Sequence, residues 1–395
     1  MRVAYSDEQL ALRDELRAYL TTELLTPEMR KELGHGTSYH YSGEAYKKVI
    51  RKMGADGWLG MGWPKEYGGR GGSFVEHYIF IDECRRADAP VPFVTINTIG
   101  PTLMRFGSPE QKERFLRPIL RGEIEFAIGY TEPGAGTDLA SLKTRAVRDG
   151  DSYVVNGQKV FTTQANMSDY IWLACRTNPD VAKHKGISIL IVPTDAPGLK
   201  ITPFDMIDDH RSNAVYLEDV RVPADAIVGA ENEGWRLITA QLNHERNALA
   251  CSGKPEELLE RVIAWARETR ATDGSRVIDR PWVQMTLARC RAKLEAVRLL
   301  NWRLAWELTT EHLNAADAST VKVFGTETFV EVYRAMMEVL GEAGALKVGS
   351  PGAALNGLIE QMYRWAYINT FGGGANEVQR EIIATVGLGM PRTGR

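Results

Sequence analysis

The apolar residues of this chain change their spacing twice, and this change limits the folds that the chain can adopt. From Asp7 to about Gly122 the spacing is that of amphipathic helices. From about Glu123 it becomes the alternation of strands, and after Gly234 the helical spacing returns almost to the end. Long helices joined by short loops favour an antiparallel bundle in the last part. The sequence therefore predicts an α+β multidomain protein.

We place two domain boundaries where the spacing changes. An N-terminal helical domain is predicted over residues 1–122, a middle β domain over 123–234 and a C-terminal helical bundle domain over 235–395. A chain of 395 residues exceeds the usual limit for one hydrophobic core, so several packed regions are expected. Ser108-Pro109-Glu110 marks a helix start. In the last domain, helices are predicted around residues 235–250, 255–270, 280–310, 318–340 and 352–368.

The middle domain carries a hairpin signal at Asn156-Gly157. Tyr153-Val154-Val155 and Lys159-Val160-Phe161 flank this pair, and a two-residue turn with positive φ at both positions favours Asn-Gly. The sequence therefore predicts a hairpin turn at these two residues. Further strands are predicted around residues 169–174, 187–192 and 214–217, and short strands at this spacing favour a small barrel or sandwich.

Composition argues against several classes of function. The chain is 44% hydrophobic and 25% charged with a formal net charge of -3, so charge gives no reason to expect nucleic acid or an anionic membrane as a partner. The sequence shows no secretory signal and no membrane-spanning apolar run, so a cytoplasmic location is expected. The seven histidines are scattered, and Cys84, Cys175, Cys251 and Cys290 lack C-x-x-C spacing. We therefore predict buried free thiols and no metal site.

One loop has the composition of a ligand-binding turn. It reads Tyr130-Thr131-Glu132-Pro133-Gly134-Ala135-Gly136-Thr137-Asp138, and Gly134 and Gly136 lack a Cβ, so backbone N–H groups can approach a flat polar ligand. The segment Gly157-Gln158-Lys159-Val160-Phe161-Thr162-Thr163 offers an aromatic ring and a hydroxyl for the same ligand. For the first loop taken alone, a tight turn without a ligand is the alternative.

A carboxylate is predicted on the packed face of the first helix of the C-terminal domain. Ile238, Leu242, Glu245 and Leu249 are spaced so that all four share one helix face. Burial of an ionised carboxylate raises its pKa toward neutrality, and such a pKa suits a general base. A Glu paired with an Arg, or one at a wet edge of the bundle, is the alternative.

These segments resemble those of the acyl-CoA dehydrogenases, and the resemblance spans essentially the whole chain. It implies the acyl-CoA dehydrogenase fold, with an N-terminal helical domain, a middle β-barrel domain and a C-terminal four-helix bundle. It also implies FAD as cofactor, an acyl-CoA thioester as substrate, α,β-dehydrogenation to the trans-2-enoyl-CoA and an electron-transfer flavoprotein as acceptor. Carried over by position, the flavin contacts are Tyr130, Thr131, Thr137, Phe161, Thr163, Gly373 and Gly374, and the substrate contacts are Asn243 and Arg246. For Arg246, a structural ion pair is the alternative to a substrate contact.

The resemblance also assigns a catalytic base. Leu242-Asn243-His244-Glu245-Arg246 resembles the segment that carries the catalytic Glu in the isovaleryl-CoA and long-chain branches of the family. Other branches carry this Glu in a C-terminal Tyr-Glu-Gly-Thr loop, and Gly373 occupies its place here. Glu245 is therefore the expected base, and Glu377 is a poorer candidate.

Two departures from the family pattern indicate a second kind of subunit. Members that bind FAD across a homodimer carry Arg-x-x-Phe-Gly, whereas this chain has Arg270-Ala271-Thr272-Asp273-Gly274. The adenosine-side segment has Glu338 and Glu342 where a pyrophosphate would approach, and like charges weaken its binding. The chain thus resembles the base-carrying subunit of actinobacterial heterotetrameric dehydrogenases that shorten steroid side chains. This resemblance implies a steroid side-chain CoA thioester, such as one derived from cholesterol, as a substrate of β-oxidation.

Two other functions are open on sequence grounds. A flavin-dependent oxidase or monooxygenase on the same fold would admit oxygen to the reduced flavin. A non-catalytic subunit would only complete the FAD site of a partner. A carboxylate on a packed helix face favours the dehydrogenase over the non-catalytic subunit, because a scaffold does not need a buried charge.

Overall fold

The chain forms two compact units in a computed structural model, which describes residues 4–34, 41–246, 250–309 and 314–391 without the side chains of residues 242–246. These units are defined by contacts and combine segments that are distant in the chain. They therefore do not test the domain boundaries predicted near residues 122 and 234, which stay predictions. What we call the helical unit comprises Met1–Tyr41, Gly72–Pro90 and Arg246–Arg395, and what we call the sheet unit comprises Ser42–Gly71 and Val91–Glu245.

Serine caps begin several of the helices. The hydroxyls of Ser6, Ser73 and Ser108 each accept the N–H group three residues later, and the Gln or Glu at that position bonds back to the serine N–H. The helix start predicted at Ser108-Pro109 is thereby confirmed. In chain order the α-helices are α1 Asp7–Ala18, α2 Pro27–Leu33, α3 Gly43–Ala55, α4 Phe74–Ala87, α5 Gly100–Phe106, α6 Pro109–Leu120, α7 Gly234–Arg246, α8 Gly253–Glu268, α9 Pro281–Thr309, α10 Ala315–Leu340, α11 Leu358–Phe371 and α12 Asn376–Ile382.

The helical unit has a core formed by α8 to α11. Leu294 of α9, Phe329 of α10 and Met362 of α11 belong to one buried apolar cluster, as expected for helices with one apolar face each. The helices predicted in this part of the chain are confirmed over the described residues, and positions 247–249 of the helix predicted at 235–250 lie outside them. The largest shift is at α11, which begins at Leu358 rather than near residue 352, because Leu355 takes a left-handed φ of +49° that interrupts the helix.

A mixed, curled sheet of seven strands forms the core of the sheet unit, and the α+β fold class is confirmed. The strand order is β1-β4-β2-β3-β7-β6, and β5 pairs with β4. One face buries side chains from most of the strands, such as Tyr153, Leu173, Leu190 and Val215. In chain order the strands are β1 Phe126–Gly129, β2 Arg145–Asp149, β3 Ser152–Lys159, β4 Tyr170–Arg176, β5 Ile187–Pro193, β6 Leu199–Asp205 and β7 Arg211–Pro223.

The hairpin predicted at Asn156-Gly157 is wrong, because β3 runs through both residues. β3 pairs with β7 on both sides of a register shift between Val155 and Gly157, as in a β-bulge. A Cβ at Gly157 would lie 2.5 Å from Thr144 Oγ1, so glycine permits a close approach of two segments here rather than a turn. The hairpin turn instead joins β2 to β3 through Gly150, whose φ is +64°.

We expect the Gly157→Ala substitution to destabilise the protein by about 1–3 kcal/mol, because the added methyl group overpacks the site on a backbone whose φ of +154° L residues rarely adopt. The methyl carbon would lie 2.5 Å from Thr144 Oγ1 and 2.7 Å from Thr144 Cα. Thermal melting measures the effect. Gly150→Ala is the control: in the part of the chain that the structure describes, no atom beyond the adjoining residues lies within 4 Å of its added Cβ. Only the left-handed backbone therefore contributes, at about 1–2 kcal/mol. If the Gly157→Ala protein had the same melting temperature as the wild type, the close approach to Thr144 would not require glycine at this position.

The four cysteines are all buried and free, as predicted. Burial raises the pKa of Cys84, Cys175 and Cys290, so these thiols are poor nucleophiles. Within the described ranges, no helix has the length and apolar character needed to cross a bilayer.

Candidate functional site

The loop Tyr130–Asp138 follows β1 and turns tightly. Glu132 and Ala135 exchange backbone hydrogen bonds of 3.0 and 3.1 Å across the turn. Neither Gly134 nor Gly136 takes a left-handed φ, and among the described residues no atom beyond the adjoining ones lies within 4 Å of a Cβ added at either position. The loop therefore presents open backbone, which leaves room for a flat ligand to approach its N–H groups.

The segment after β3 holds an aromatic ring on an unusual backbone. Phe161 has a φ of +58°, a conformation that bulky residues rarely adopt and that concentrates at functional sites. Its side chain is 53% exposed and packs edge-to-face against Phe204, with 5.6 Å between ring centroids. The preceding residue, Val160, donates its N–H to the Thr131 carbonyl at 2.9 Å. The structure therefore brings together the two segments that the sequence assigns to one ligand.

Tyr130 links this loop to a strand and a helix. Its hydroxyl donates to Gln241 Oε1 at 2.5 Å and accepts from Trp172 Nε1 at 3.1 Å. Trp172 lies on β4 and Gln241 on α7, so buried hydrogen bonds fix α7 against the loop. Gln241 Nε2 is buried and has no hydrogen-bond partner among the described side chains. A donor in this position suits a polar ligand atom, because buried polar groups are normally paired.

The expected base and substrate contacts lie at the C-terminal end of α7. Asn243, Glu245 and Arg246 belong to this helix, but their side chains lie outside the described residues. Further toward its start, the helix buries Ile238 and Gln241 completely. Gln241 precedes Glu245 by four residues, so the two positions share one helix face. The role of Glu245 as base stays a prediction.

In the helical unit, Lys322 holds the glycine-rich loop that follows α11. Its fully buried ammonium group donates to the carbonyls of Thr370 and Gly374 at 3.1 and 2.7 Å and to Asn376 Oδ1 at 2.7 Å. Gly373 and Gly374 have φ values of +67° and +103°, which glycine adopts without steric cost. This loop is therefore a fixed element, and the proposed flavin contacts at Gly373 and Gly374 stay predictions.

The other residues predicted from the sequence differ in exposure. Thr131 is half-buried, whereas Thr137 and Thr163 are exposed. Glu377 lies exposed in the first turn of α12. No group of three or more His, Cys, Asp and Glu side chains could hold a metal ion in the part of the chain that the structure describes.

Sequence reasoning missed Trp172, Gln241 and a buried ion pair between Lys159 and Glu132, whose Nζ and Oε1 atoms lie 2.8 Å apart. Their contacts join segments that are distant in the chain, so spacing does not reveal them. One signal was available for Lys159: the alternation of β3 places this lysine on the same face as the buried residue Tyr153.

Comparisons with known proteins cover the whole chain. Three family descriptions match: "Acyl-CoA dehydrogenase, N-terminal domain" at residues 6–123, "Acyl-CoA dehydrogenase, middle domain" at 127–220 and "Acyl-CoA dehydrogenase, C-terminal domain" at 232–388. The acyl-CoA dehydrogenase FadE26 of Mycobacterium tuberculosis is 51% identical over 401 residues, which cover 100% of both chains. Two solved structures are similar over 100% of both chains, each with a TM-score of 0.93 and 52% identity: the Tcur3481-Tcur3483 steroid ACAD and the ChsE4-ChsE5 complex from Mycobacterium tuberculosis.

Proposed function

The chain belongs to the acyl-CoA dehydrogenase family, and from this we propose that it dehydrogenates a steroid side-chain CoA thioester, with Glu245 as the base. Members of the family are FAD-dependent flavoproteins, so the chain is an FAD-dependent oxidoreductase that acts on acyl-CoA. One observation carries the assignment of residues. The buried hydrogen bonds of Tyr130 with Trp172 and Gln241 fix α7, the helix of Glu245, against the loop of the proposed flavin contacts.

The described residues of the sheet unit fit a flavin. A polar edge and an aromatic face come from open backbone at Gly134 and Gly136, the half-exposed ring of Phe161 and the donor Gln241 Nε2, which has no partner among the described residues. When bound, FAD supplies an acceptor for the hydride that leaves the β-carbon. The chain's own part is to hold the substrate, exclude water and take the α-proton. The proposed flavin contacts in this unit are Tyr130, Thr131, Thr137, Phe161 and Thr163.

Glu245 would accept the α-proton of the thioester. The preceding turns of α7 bury Ile238 and Gln241. Glu245 follows Gln241 by four residues and so shares its helix face, where a carboxylate is placed to act as a general base. Asn243 and Arg246 flank Glu245 on the helix and are proposed to contact the substrate.

Similarity to a steroid enzyme supports a steroid side chain as the acyl group. The Tcur3481-Tcur3483 structure is described as a steroid ACAD and is 52% identical over the whole chain. We expect anaerobic flavin reduction to be at least about 10-fold faster with a steroid side-chain CoA thioester than with a straight-chain acyl-CoA of equal side-chain length. Equal or faster reduction by the straight-chain thioester would contradict the steroid proposal, while leaving the dehydrogenase activity intact.

The segment that departs from the family pattern is folded back on itself, which supports a different subunit on the adenosine side. Arg270 donates to the Gly274 carbonyl at 2.8 Å, and Asp273 accepts from the Ser275 N–H and hydroxyl at 2.9 and 2.6 Å. The guanidinium group is therefore engaged within its own turn. Glu338 is also exposed, at 63% of its side chain, but Arg334 Nε lies 3.8 Å from its carboxylate and offsets part of its repulsion of a pyrophosphate.

Exposed apolar side chains on the helical unit also support assembly with another subunit. Trp306 is 61% exposed, Phe371 57% and Leu388 66%, and most of the large apolar side chains that are exposed in the described ranges lie in this unit. Where such side chains adjoin one another, they mark a protein interface. The ChsE4-ChsE5 structure is named as a complex of two proteins. We therefore propose a heterotetramer with a second acyl-CoA dehydrogenase-like subunit.

Expression with and without a partner tests the heterotetramer. We expect the chain produced alone to bind little FAD, and the chain co-expressed with an acyl-CoA dehydrogenase-like neighbouring gene to co-purify with that product and with FAD. Size and flavin content are measured on both preparations. A homotetramer with full FAD occupancy from the chain alone would contradict the proposal.

The electron acceptor distinguishes a dehydrogenase from an oxidase. We propose that an electron-transfer flavoprotein takes the electrons, so turnover should reduce this protein and release little peroxide. Stoichiometric peroxide without an added acceptor would instead favour an oxidase on the same fold.

A further inference from the structure

A buried ion pair ties together the two segments that carry the proposed flavin contacts. Lys159, the last residue of β3, has no exposed side-chain surface, and the Glu132 side chain in the loop after β1 is 7% exposed. Lys159 Nζ lies 2.8 Å from Glu132 Oε1 and also donates to the Tyr130 carbonyl at 3.1 Å. One ammonium group on the strand therefore bonds two residues of the loop.

Glu132 also holds the chain that leaves the loop. Its carboxylate accepts the N–H groups of Lys143 at 2.7 Å and Thr144 at 2.8 Å. Burial raises the pKa of Glu132, but the Lys159 ammonium and the N–H donors outweigh burial and hold this pKa below its usual value. The carboxylate is therefore ionised at neutral pH. Both ends of the loop, before Pro133 and after Asp138, are fixed by the same pair of charges.

We propose that Lys159 and Glu132 are positioning residues that fix the Tyr130–Asp138 loop relative to Phe161 and thereby set the affinity for FAD. This proposal rests on the assignment of both segments as flavin contacts. Phe161 follows Lys159 by two residues, and its left-handed backbone persists only where surrounding structure holds it. If the pair is lost, the loop can shift against the ring, and the two segments then no longer hold their contacts with the same ligand in one geometry.

The energetics of buried charges favour a positional role over a stabilising one. Replacing a buried ion pair by neutral residues of similar size is often neutral for stability, because the desolvation of two charges offsets their attraction. Removing one partner is far more harmful, because the other charge is left buried and alone. A neutral double variant therefore separates the positional effect from general destabilisation.

The Glu132→Gln/Lys159→Met double variant tests the proposal in the full protein with its partner subunits. FAD is removed, and the apoprotein is titrated with FAD while flavin fluorescence and visible absorbance are recorded. We expect the Kd for FAD to rise at least about 10-fold, or about 1.4 kcal/mol. The flavin absorbance should also shift, while the melting temperature of the apoprotein changes little.

The Asp88→Asn/Lys254→Met double variant is the matched control. Lys254 Nζ lies 2.5 Å from Asp88 Oδ2, their side chains are 4% and 15% exposed, and both residues belong to the helical unit. Lys254 Nζ also lies 2.9 Å from Glu257 Oε2, and this carboxylate keeps Arg261 as a partner at 3.6 Å when Lys254 is replaced. We expect this variant to bind FAD as the wild type does. If both double variants bound FAD equally more weakly than the wild type, the proposal would be overturned, because a general loss of stability would then explain the weaker binding. Unchanged affinity and absorbance in the Glu132→Gln/Lys159→Met variant would overturn it too.

Two further variants complete the test. If the Glu132→Gln/Lys159→Met variant does not fold, Lys159→Arg takes its place, because arginine keeps the charge but moves the hydrogen-bond donors. Its FAD affinity and flavin absorbance are then judged in the same way. Phe161→Ala tests the flavin-contact assignment separately. Unchanged FAD affinity and absorbance in Phe161→Ala would remove that assignment, whereas an unchanged pair variant beside a weakened Phe161→Ala would remove only the role of the pair.

Discussion

The Glu245→Gln variant is expected to bind FAD but to leave it oxidised when acyl-CoA is added without oxygen. Glutamine keeps the size of the side chain and removes the proton acceptor. A general base contributes about 100-fold to 10,000-fold in rate, so bleaching of the flavin should slow by at least about 100-fold. Anaerobic stopped-flow absorbance measures the rate, and the flavin spectrum before mixing shows that the cofactor is retained.

Glu377→Gln is the matched control for this experiment. It makes the same chemical change at the other candidate carboxylate, which lies exposed at the start of α12. We expect this variant to reduce its flavin at nearly the wild-type rate. If Glu377→Gln is inert and Glu245→Gln is not, the base is Glu377. If both variants react as the wild type does, neither residue is the base.

The free energy of unfolding of the protein is expected to fall as the pH rises from about 4 to about 7, because the pKa of Asp82 is raised in the folded state. This residue of α4 accepts the Gly253 N–H at 2.8 Å and the Tyr78 hydroxyl at 3.4 Å. Burial, and then the carboxylates of Glu256 and Glu83, raise its pKa from 3.8 to about 7. In this window the folded protein holds a proton that the unfolded chain has released, so the free energy of unfolding falls as pH rises. The stabilisation is present below about pH 4 and is lost above about pH 7.

The Asp82→Asn variant should remove this pH dependence. A shift of three pKa units corresponds to about 4 kcal/mol, and water that still reaches the carboxylate makes this an upper limit. We therefore expect the melting temperature of the variant to rise relative to the wild type between about pH 5 and about pH 8. Asp14→Asn removes the same charge at a side chain that is 65% exposed and should leave the pH profile unchanged. If the melting temperatures of Asp82→Asn and wild type differed by the same amount at about pH 5 and at about pH 8, the raised pKa of Asp82 would be contradicted.

A second carboxylate, Glu125, also makes the stability depend on pH in this window, in the wild type and in the Asp82→Asn variant alike. Burial raises the pKa of Glu125 in the sheet unit to about 7, although the Tyr46 hydroxyl donates to it at 3.0 Å. The slope that remains in Asp82→Asn is therefore expected to come in part from Glu125. For this reason the difference between variant and wild type, rather than either profile alone, reports on Asp82.

The helices could be predicted from the sequence because their signals are local. Ser108 and Pro109 define the start of α6 through a cap and a first-turn proline. Likewise, the apolar spacing of α9 and α10 needs no knowledge of what packs against them. α11 began later than predicted because the left-handed backbone at Leu355 has no signature in apolar spacing.

The hairpin prediction failed because one local signal has two physical causes. Asn156-Gly157 has the composition of a two-residue turn, but the glycine is required by contact with Thr144, which comes from a different strand region. Only the three-dimensional structure shows that neighbour. The true turn at Gly150 lies six residues before the predicted one.

The loops of the candidate site could be found from composition, but the contacts that hold them could not. Glycines and hydroxyls drew attention to Tyr130–Asp138, whereas the bond from Tyr130 to Gln241 spans 111 residues and the pair of Lys159 with Glu132 spans 27. Such pairings follow from topology rather than from periodicity. The sequence therefore predicts which segments carry the proposed function, and the structure shows the contacts that hold those segments.

An anaerobic titration of the flavin tests the central claim most directly. The protein, purified with its partner subunit and FAD, is titrated with a steroid side-chain CoA thioester while the flavin absorbance is followed and the CoA products are analysed. The proposed function predicts that each equivalent of thioester bleaches one flavin and yields one equivalent of the trans-2-enoyl-CoA. A flavin that stays oxidised with every acyl-CoA tested, or that bleaches without formation of an enoyl-CoA, would contradict it.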